Sequence, residues 1–368
     1  MIPADLPDDT ALLELLDHRG PASVSVALPS SPVPAQQDPV RTALRSAADD
    51  ASRQLEQSGA DAPTIARIVD GIRSLFDDLE FWEHQDRGLL LLSTPARRHV
   101  FRLPFAPRTS VRVNERFAAG PLLRARGAEG GAYVLQLARD HVRLVHVQGD
   151  HLRPIPLRLP DDLDLVFAHA DNDGRADRER ARGSDGDRPE RERYAKAVSE
   201  EVKRVASPHV PLILATTAEL DPAYRAQNTH PGLRAHGITA HPQSLDDATL
   251  INAVAGFVAN DRRAAVSAWK ERFGTLRAEG LATSRLSEVA AAAAAAAVEE
   301  LRLDQDAERS GEIDTYGRVN PTDDADLLLD LAAAVLRTGG RVVAVPRGEL
   351  TDGSPVAAEL RFPVPVPR

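Results

Sequence analysis

The chain contains no cysteine. Disulfides, thiolate zinc sites and a cysteine nucleophile are therefore excluded together. Aromatic residues are scarce, at 4%, so the cores must be built mainly from Leu, Val and Ala. A membrane-length apolar run is also missing. The alanine-rich stretch Ala290–Ala297 is bracketed by Glu288 and by Glu299 and Glu300, and is too short and too charged to cross a bilayer. The opening residues, MIPADLPDDTALLELL, have neither the basic leader nor the apolar core of a signal peptide. A cytoplasmic protein with no membrane attachment is the expectation.

Recognisable chemistry is scarce too. Neither a Gly-x-Ser-x-Gly elbow nor a Walker lysine loop occurs. Eleven histidines are scattered, and His230, His236 and His241 gather only loosely in a Pro/Gly-rich stretch, which reads as surface loop rather than a metal site. Asp171-Asn172-Asp173-Gly174 opens like a calcium loop, but Arg182 stands where the closing glutamate is needed. Neither a cofactor nor a resident metal is expected.

What is present is a soluble, mixed pattern. The chain has 368 residues, 42% of them hydrophobic and 27% charged, which exceeds one ordinary core and suggests two or three domains. The formal net charge of −10 makes a poor generic nucleic-acid binder, because phosphate contacts need local Lys and Arg. DNA is not an expected partner; RNA contact would require a local basic patch.

Along the chain, residues 8–17 read as a short helix, Ala22–Leu28 as a strand, and Pro29–Pro39 as a link. A helix follows from Asp38 to about Gln57, and another from Pro63 with the stripe Ile65, Ile68, Val69, Ile72, Leu75 and Phe76. Phe81-Trp82, with Gln85, reads as a core anchor. Gly88–Ser93, His99–Leu103 and Ser110–Val113 read as strands, and Ala132–Leu157 as a three-stranded meander. Residues 169–193 hold seven Arg, eight acids and almost nothing apolar, the composition of a mobile mixed-charge arm. A helix then carries Tyr194, Val198, Val202 and Val205 on one face, and Pro211–Ala215 is a buried strand. Helices are expected over Ser244–Asn260, extending to about Ala278, over Ser284–Glu300, where the alanine run has high propensity, and over Asp323–Arg337. Residues 305–322 read as a polar loop, and Arg341–Val345 and Val356–Phe362 as closing strands.

This order of segments resembles the bacterial archaeo-eukaryotic release factors, specifically family 3. The resemblance rests on Ala22–Pro29, Gln37–Arg41 and Phe81–Leu91, then on Tyr133–Leu144, Phe167–His169 and Tyr194–Ala215, and finally on Asp326–Val345 and Gly353–Pro363. The last stretch is also similar to the end of release factors and of Pelota. The resemblance implies an α/β protein of three domains. They are an N-terminal α+β domain (1–128), a middle RNase-H-like α/β domain (129–262), and a C-terminal α/β domain resembling kink-turn-binding ribosomal proteins (263–368).

True release factors carry Gly-Gly-Gln in the loop before the middle-domain helix. The matching loop here is Ala168–Arg193, and no Gly-Gly-Gln exists: the adjacent glycine pairs are Gly130-Gly131 before Ala132 and Gly339-Gly340 before Arg341. An Asn-Ile-Lys-Ser codon-reading motif is also missing. The resemblance therefore implies a non-catalytic ribosome-associated factor in hibernation, rescue or stress, with a translational GTPase as possible partner. RNA or ribosome contacts are expected from His169, Arg175, Arg178, Arg180, Arg182, Arg188, Arg191 and Arg193. Two alternatives stay open. One is a hydrolase or nuclease using Asp171, Asp173 and Asp177, which one flexible loop would hold poorly. The other is a protein-interaction module without ribosome contact.

Overall fold

The computed structural model describes residues 6–127, 131–139, 141–159, 188–208, 210–322 and 325–364. They fold into two compact units: residues 129–267 form one, and the chain on either side forms the other.

The first third begins with α1 (Asp9–Asp17), capped by Asp8, whose carboxylate accepts the Ala11 N–H. It continues through β1 (Ser23–Pro29), α2 (Gln37–Gln57), α3 (Ala62–Arg73), α4 (Leu79–Glu83), β2 (Gly88–Ser93), β3 (Arg98–Leu103), β4 (Ser110–Asn114) and α5 (Gly120–Gly127). The strands form one antiparallel sheet in the order β3-β2-β1-β4. The Gly88–Ser93 run is uninterrupted in its apolar character because both of its faces are covered. Leu89 and Leu91 face α2 and α3, while Leu90 and Leu92 enter a second cluster on the other face. Trp82 anchors the α2–α3 side: its indole N–H donates to the Leu75 carbonyl at 2.8 Å, and Gln85 is tied to Phe81 and Ser30.

The middle unit contains β5 (Ala132–Ala138), β6 (His141–Gln148), β7 (His151–Ile155), α6 (Arg188–Val205), β8 (Leu212–Thr216), α7 (Asp221–Gln227), β9 (Ile238–Thr239) and the start of α8 (Asp247–Ala278). The meander is present, and β8 joins it parallel to β5, giving the order β7-β6-β5-β8-β9. Alternation along β5 and β8 supplies two cores. Tyr133, Leu135, Leu137, Leu212 and Leu214 pack with Tyr194, Val198 and Val202 of α6 and Tyr224 of α7. Ala132, Val134, Ile213 and Ala215 pack with Leu250 and Val254 of α8. This is a three-layer α/β arrangement.

The last third adds β10 (Ala282–Thr283), α9 (Leu286–Ala294), β11 (Val298–Asp304), the small hairpin β12 (Glu312–Ile313) and β13 (Val319–Asn320), α10 (Leu327–Arg337), β14 (Arg341–Val345) and β15 (Val356–Leu360). Its sheet runs β10-β15-β11-β14, with only β11 and β14 parallel. Two expectations are corrected here. The alanine-run helix stops at Ala294 rather than Glu300: Ala296 takes a left-handed φ of 57°, and Val298–Asp304 becomes a strand paired on both sides. Helix propensity loses because Val298, Leu301 and Leu303 alternate into a buried cluster that the strand alone can fill. The polar loop 305–322 contains the β12–β13 hairpin.

The first and last thirds, read in the sequence as separate domains, share one hydrophobic cluster. Leu12, Leu16, Leu90, Leu92, Phe117 and Leu122 pack together with Val289, Leu301, Leu328, Leu331 and Val335. The overall class is mixed α/β. No helix among the described residues is long and apolar enough to cross a membrane.

Candidate functional site at the carboxyl edge of the middle sheet

In the middle unit, β5 hands over to β6 on one side, while β8 hands over to β9 on the other. β5 and β8 run parallel side by side, so their carboxyl ends lie together at one edge of the sheet, the edge at which open α/β sheets place ligands. Hydrogen bonds build this edge. Thr216 Oγ1 donates to the Leu137 carbonyl at 2.7 Å, and Tyr194 Oη donates to the Ala138 carbonyl at 2.6 Å, seating the start of α6 over the end of β5. Gln136 Nε2 donates to the Pro242 carbonyl at 2.8 Å. Arg143 bridges Gln136 Oε1 (3.3 Å) and Asp247 Oδ1 (2.9 Å), so β6 and the start of α8 are held together. Arg139 and Glu219, at the ends of β5 and β8, face each other at 3.9 Å.

The stretch after β7 is held against α6. The Arg158 backbone N–H donates to Glu201 Oε1 at 2.6 Å, and Arg204 forks onto the same carboxylate at 2.7 and 2.8 Å. The Arg204 hydrogen bond and the Arg158 N–H hold the Glu201 carboxyl at about 2, well below the usual range, against the upward effect of burial. Arg158, beyond β7, is thus tied to the fourth turn of α6, which opens at Arg188.

Of the expected contact residues, His169, Arg175, Arg178, Arg180 and Arg182 lie outside the described residues, as do Asp171, Asp173 and Asp177. Arg188 opens α6, Arg191 is half-buried on it, and Arg193 is exposed. The structure adds residues the sequence reading passed over. Lys196 and Lys203 are exposed and lie three and ten residues after Arg193, so they continue its charge along one face of α6, interrupted by Glu200. That three-and-four spacing was the available signal. Arg139 and Arg143 at the sheet edge were likewise missed.

His230 belongs elsewhere. It is buried, and its Nδ1 accepts the Gly232 N–H at 3.1 Å while Nε2 lies 3.1 Å from the Ser207 carbonyl. That pairing gives it a structural role at the amino end of β8. No cluster of three His, Asp or Glu suited to a metal occurs among the described residues. The Thr216 hydroxyl is spent on a backbone carbonyl, so it is no activated nucleophile. The described edge can bind through cations and hydrogen-bond donors; a nucleophile held against a base is not among its parts.

Comparison with known proteins bears on this unit directly. Residues 129–258 match the model of bacterial archaeo-eukaryotic release factor family 11, rather than that of family 3. No curated protein matches the chain. Among solved structures, the archaeal translation termination factor aRF1 is 15% identical over 98% of this chain and 100% of its own, with a TM-score of 0.25. Dom34 of S. cerevisiae, described as a translation termination-like factor interacting with Hbs1, is 14% identical over 76% of this chain and 74% of its own, at 0.42. Archaeoglobus fulgidus Pelota is 13% identical over 98% and 94%, at 0.30. Over residues 129–258 the middle unit is similar to the bacterial archaeo-eukaryotic release factors.

Proposed function

We propose that the protein is a ribosome-associated translation factor that does not hydrolyse peptidyl-tRNA, acting in hibernation, rescue or stress in the cytoplasm. The observation that carries this reading is the family match over residues 129–258 in a chain without Gly-Gly-Gln. The finer kinship belongs to the same proposal: an RNase-H-like middle unit, and a last third of the kind found in kink-turn-binding ribosomal proteins, able to dock a translational GTPase.

The geometry supports the reading in two ways. The stretch after β7 is tied to α6 through the Arg158 N–H on Glu201, and α6 opens at Arg188. Arg193, Lys196 and Lys203 are exposed on α6 and set three cations along it. A local cation row of this kind is what a chain of net charge −10 needs before it can contact phosphates. Ester hydrolysis needs a water held at the reacting carbonyl, and this chain has no Gly-Gly-Gln to hold one.

The test has two arms. Lysates of growing and starved cells are fractionated on sucrose gradients, and the protein is expected in ribosomal fractions in at least one state; absence from both would sink the reading. Ribosomes loaded with labelled peptidyl-tRNA are expected to release no peptide above background on addition of the protein. Release at a rate comparable to a release factor would overturn the non-catalytic part alone.

A further inference from the structure

The unit built from the first and last thirds contains a cleft of about 730 Å³. One wall is the face of β4 with the connection before it; the other is the end of β11, the loop after it and the start of α10. Five arginines and five carboxylates line it. Most of them cancel across the gap. Arg112 forks onto Glu308 at 2.8 and 2.9 Å, Arg124 meets Asp306 at 2.7 Å, and Arg116 pairs with Asp330 and, at 3.1 Å, with Glu312.

Two charges of each sign are left over. Arg108 and Arg309 are exposed at the rim, and neither side chain has an ion pair among the described residues. Asp304 is only 7% exposed, and its Oδ1 accepts the Asp306 N–H at 3.1 Å. Asp326 caps α10 through Oδ1, which accepts the N–H groups of Leu328 at 2.9 Å and Arg309 at 3.3 Å. The Oδ2 atom of each has no hydrogen bond among the described residues. Asp304 is nearly buried and Asp326 half-buried, so each favours N–H donors over an apolar neighbour, and burial pushes the Asp326 carboxyl up to about 6.

The leftover pattern selects a ligand with N–H donors at its inner end and an anion at its outer end. A divalent cation would satisfy the carboxylates but be repelled by the two rim arginines. A stretch of nucleic-acid backbone would satisfy the arginines and leave the carboxylates bare. The volume lies within the range of small-molecule sites. We propose that the cleft binds a purine nucleotide bearing an exocyclic amine, with the base amine against Asp304 and Asp326 and the phosphates on Arg108 and Arg309. This proposal does not depend on ribosome binding.

Calorimetric titration of the full chain with GTP, ATP, ITP and inorganic phosphate tests it. GTP and ATP should bind saturably at one site per chain. ITP, which lacks the exocyclic amine, should bind at least about tenfold more weakly than GTP, the scale of one hydrogen bond to a charged acceptor. Inorganic phosphate should bind far more weakly than either. Arg309→Glu, on the exposed rim, should keep its melting temperature and weaken GTP at least about tenfold. Asp326→Asn keeps a good cap for α10 and should erase the GTP–ITP difference. Absence of GTP binding at millimolar concentration, equal affinity for ITP, or undiminished binding by Arg309→Glu would each overturn the proposal.

Discussion

Tyr224 is fully buried, yet its hydroxyl has no partner among the described residues, and burial drives its pKa upward. A buried unpaired hydroxyl costs about 1 kcal/mol or more. Tyr224→Phe should therefore raise stability by about 1 kcal/mol in urea unfolding, and a loss of more than that would show that the hydroxyl is satisfied. Glu201 is the opposite case, a nearly buried carboxylate with an N–H and a forked guanidinium on it. Its folded pKa lies below its ordinary 4.5, at about 2. The stability it contributes is thus complete above pH 4.5 and is lost as pH falls from about 4.5 to about 2. Glu201→Gln should cost about 2 kcal/mol at pH 7, a deficit that shrinks across that window. A deficit independent of pH would contradict the assignment. At this scale the aromatic anchors were legible in the sequence, because Trp82 and Tyr194 sit in apolar periodicities. The clamp on Arg158 was not, since Glu201 and Arg158 are 43 residues apart and nothing local links them.

Among the elements, period and turn chemistry carried most of the reading. The meander of β5 to β7, the buried strand β8 and the stripe of α3 follow from alternation or from three-and-four spacing. Extension of the Ser244 helix to Ala278 also holds, although its start falls at Asp247, where Asp246 Oδ1 accepts the Thr249 N–H at 2.8 Å. The alanine run shows where local reasoning gives out. Eight alanines favour helix, but the buried strand beyond them needs a turn, and Ala296 makes it at φ 57°. That backbone suits glycine, so Ala296→Gly should stabilise the chain by roughly 0.5–1 kcal/mol. Thermal unfolding checks this; a fall in melting temperature would show that the helix-to-strand junction is held by something other than the turn. The arm at 168–193 is legible only as composition, because a segment with almost no apolar side chains has no core-facing period to read.

At the scale of the whole molecule, the order of segments pointed to the family, and only the folded chain revealed that the first and last thirds share a core. Contacts between residues about 200 or more apart, such as Arg112 with Glu308 and Arg337 with Asp17 at 2.6 Å, leave no trace in local periodicity. One consequence is direct. Residues 1–128 alone would expose Leu12, Leu16, Phe117 and Leu122, so this fragment should not unfold cooperatively, and co-expression with residues 268–368 should restore a cooperative transition. A sharp two-state melt of the isolated fragment would contradict the shared core.

The central claim is ribosome association through the α6 edge, and one measurement addresses it most directly. Purified ribosomes are pelleted through a sucrose cushion with increasing protein, beside the variant Arg193→Glu, Lys196→Glu, Lys203→Glu. The account predicts saturable pelleting at about one protein per ribosome, weakened at least tenfold in the variant and by added salt. Protein that stays in the supernatant at every concentration, or a variant that pellets as well as the unsubstituted chain, would contradict it.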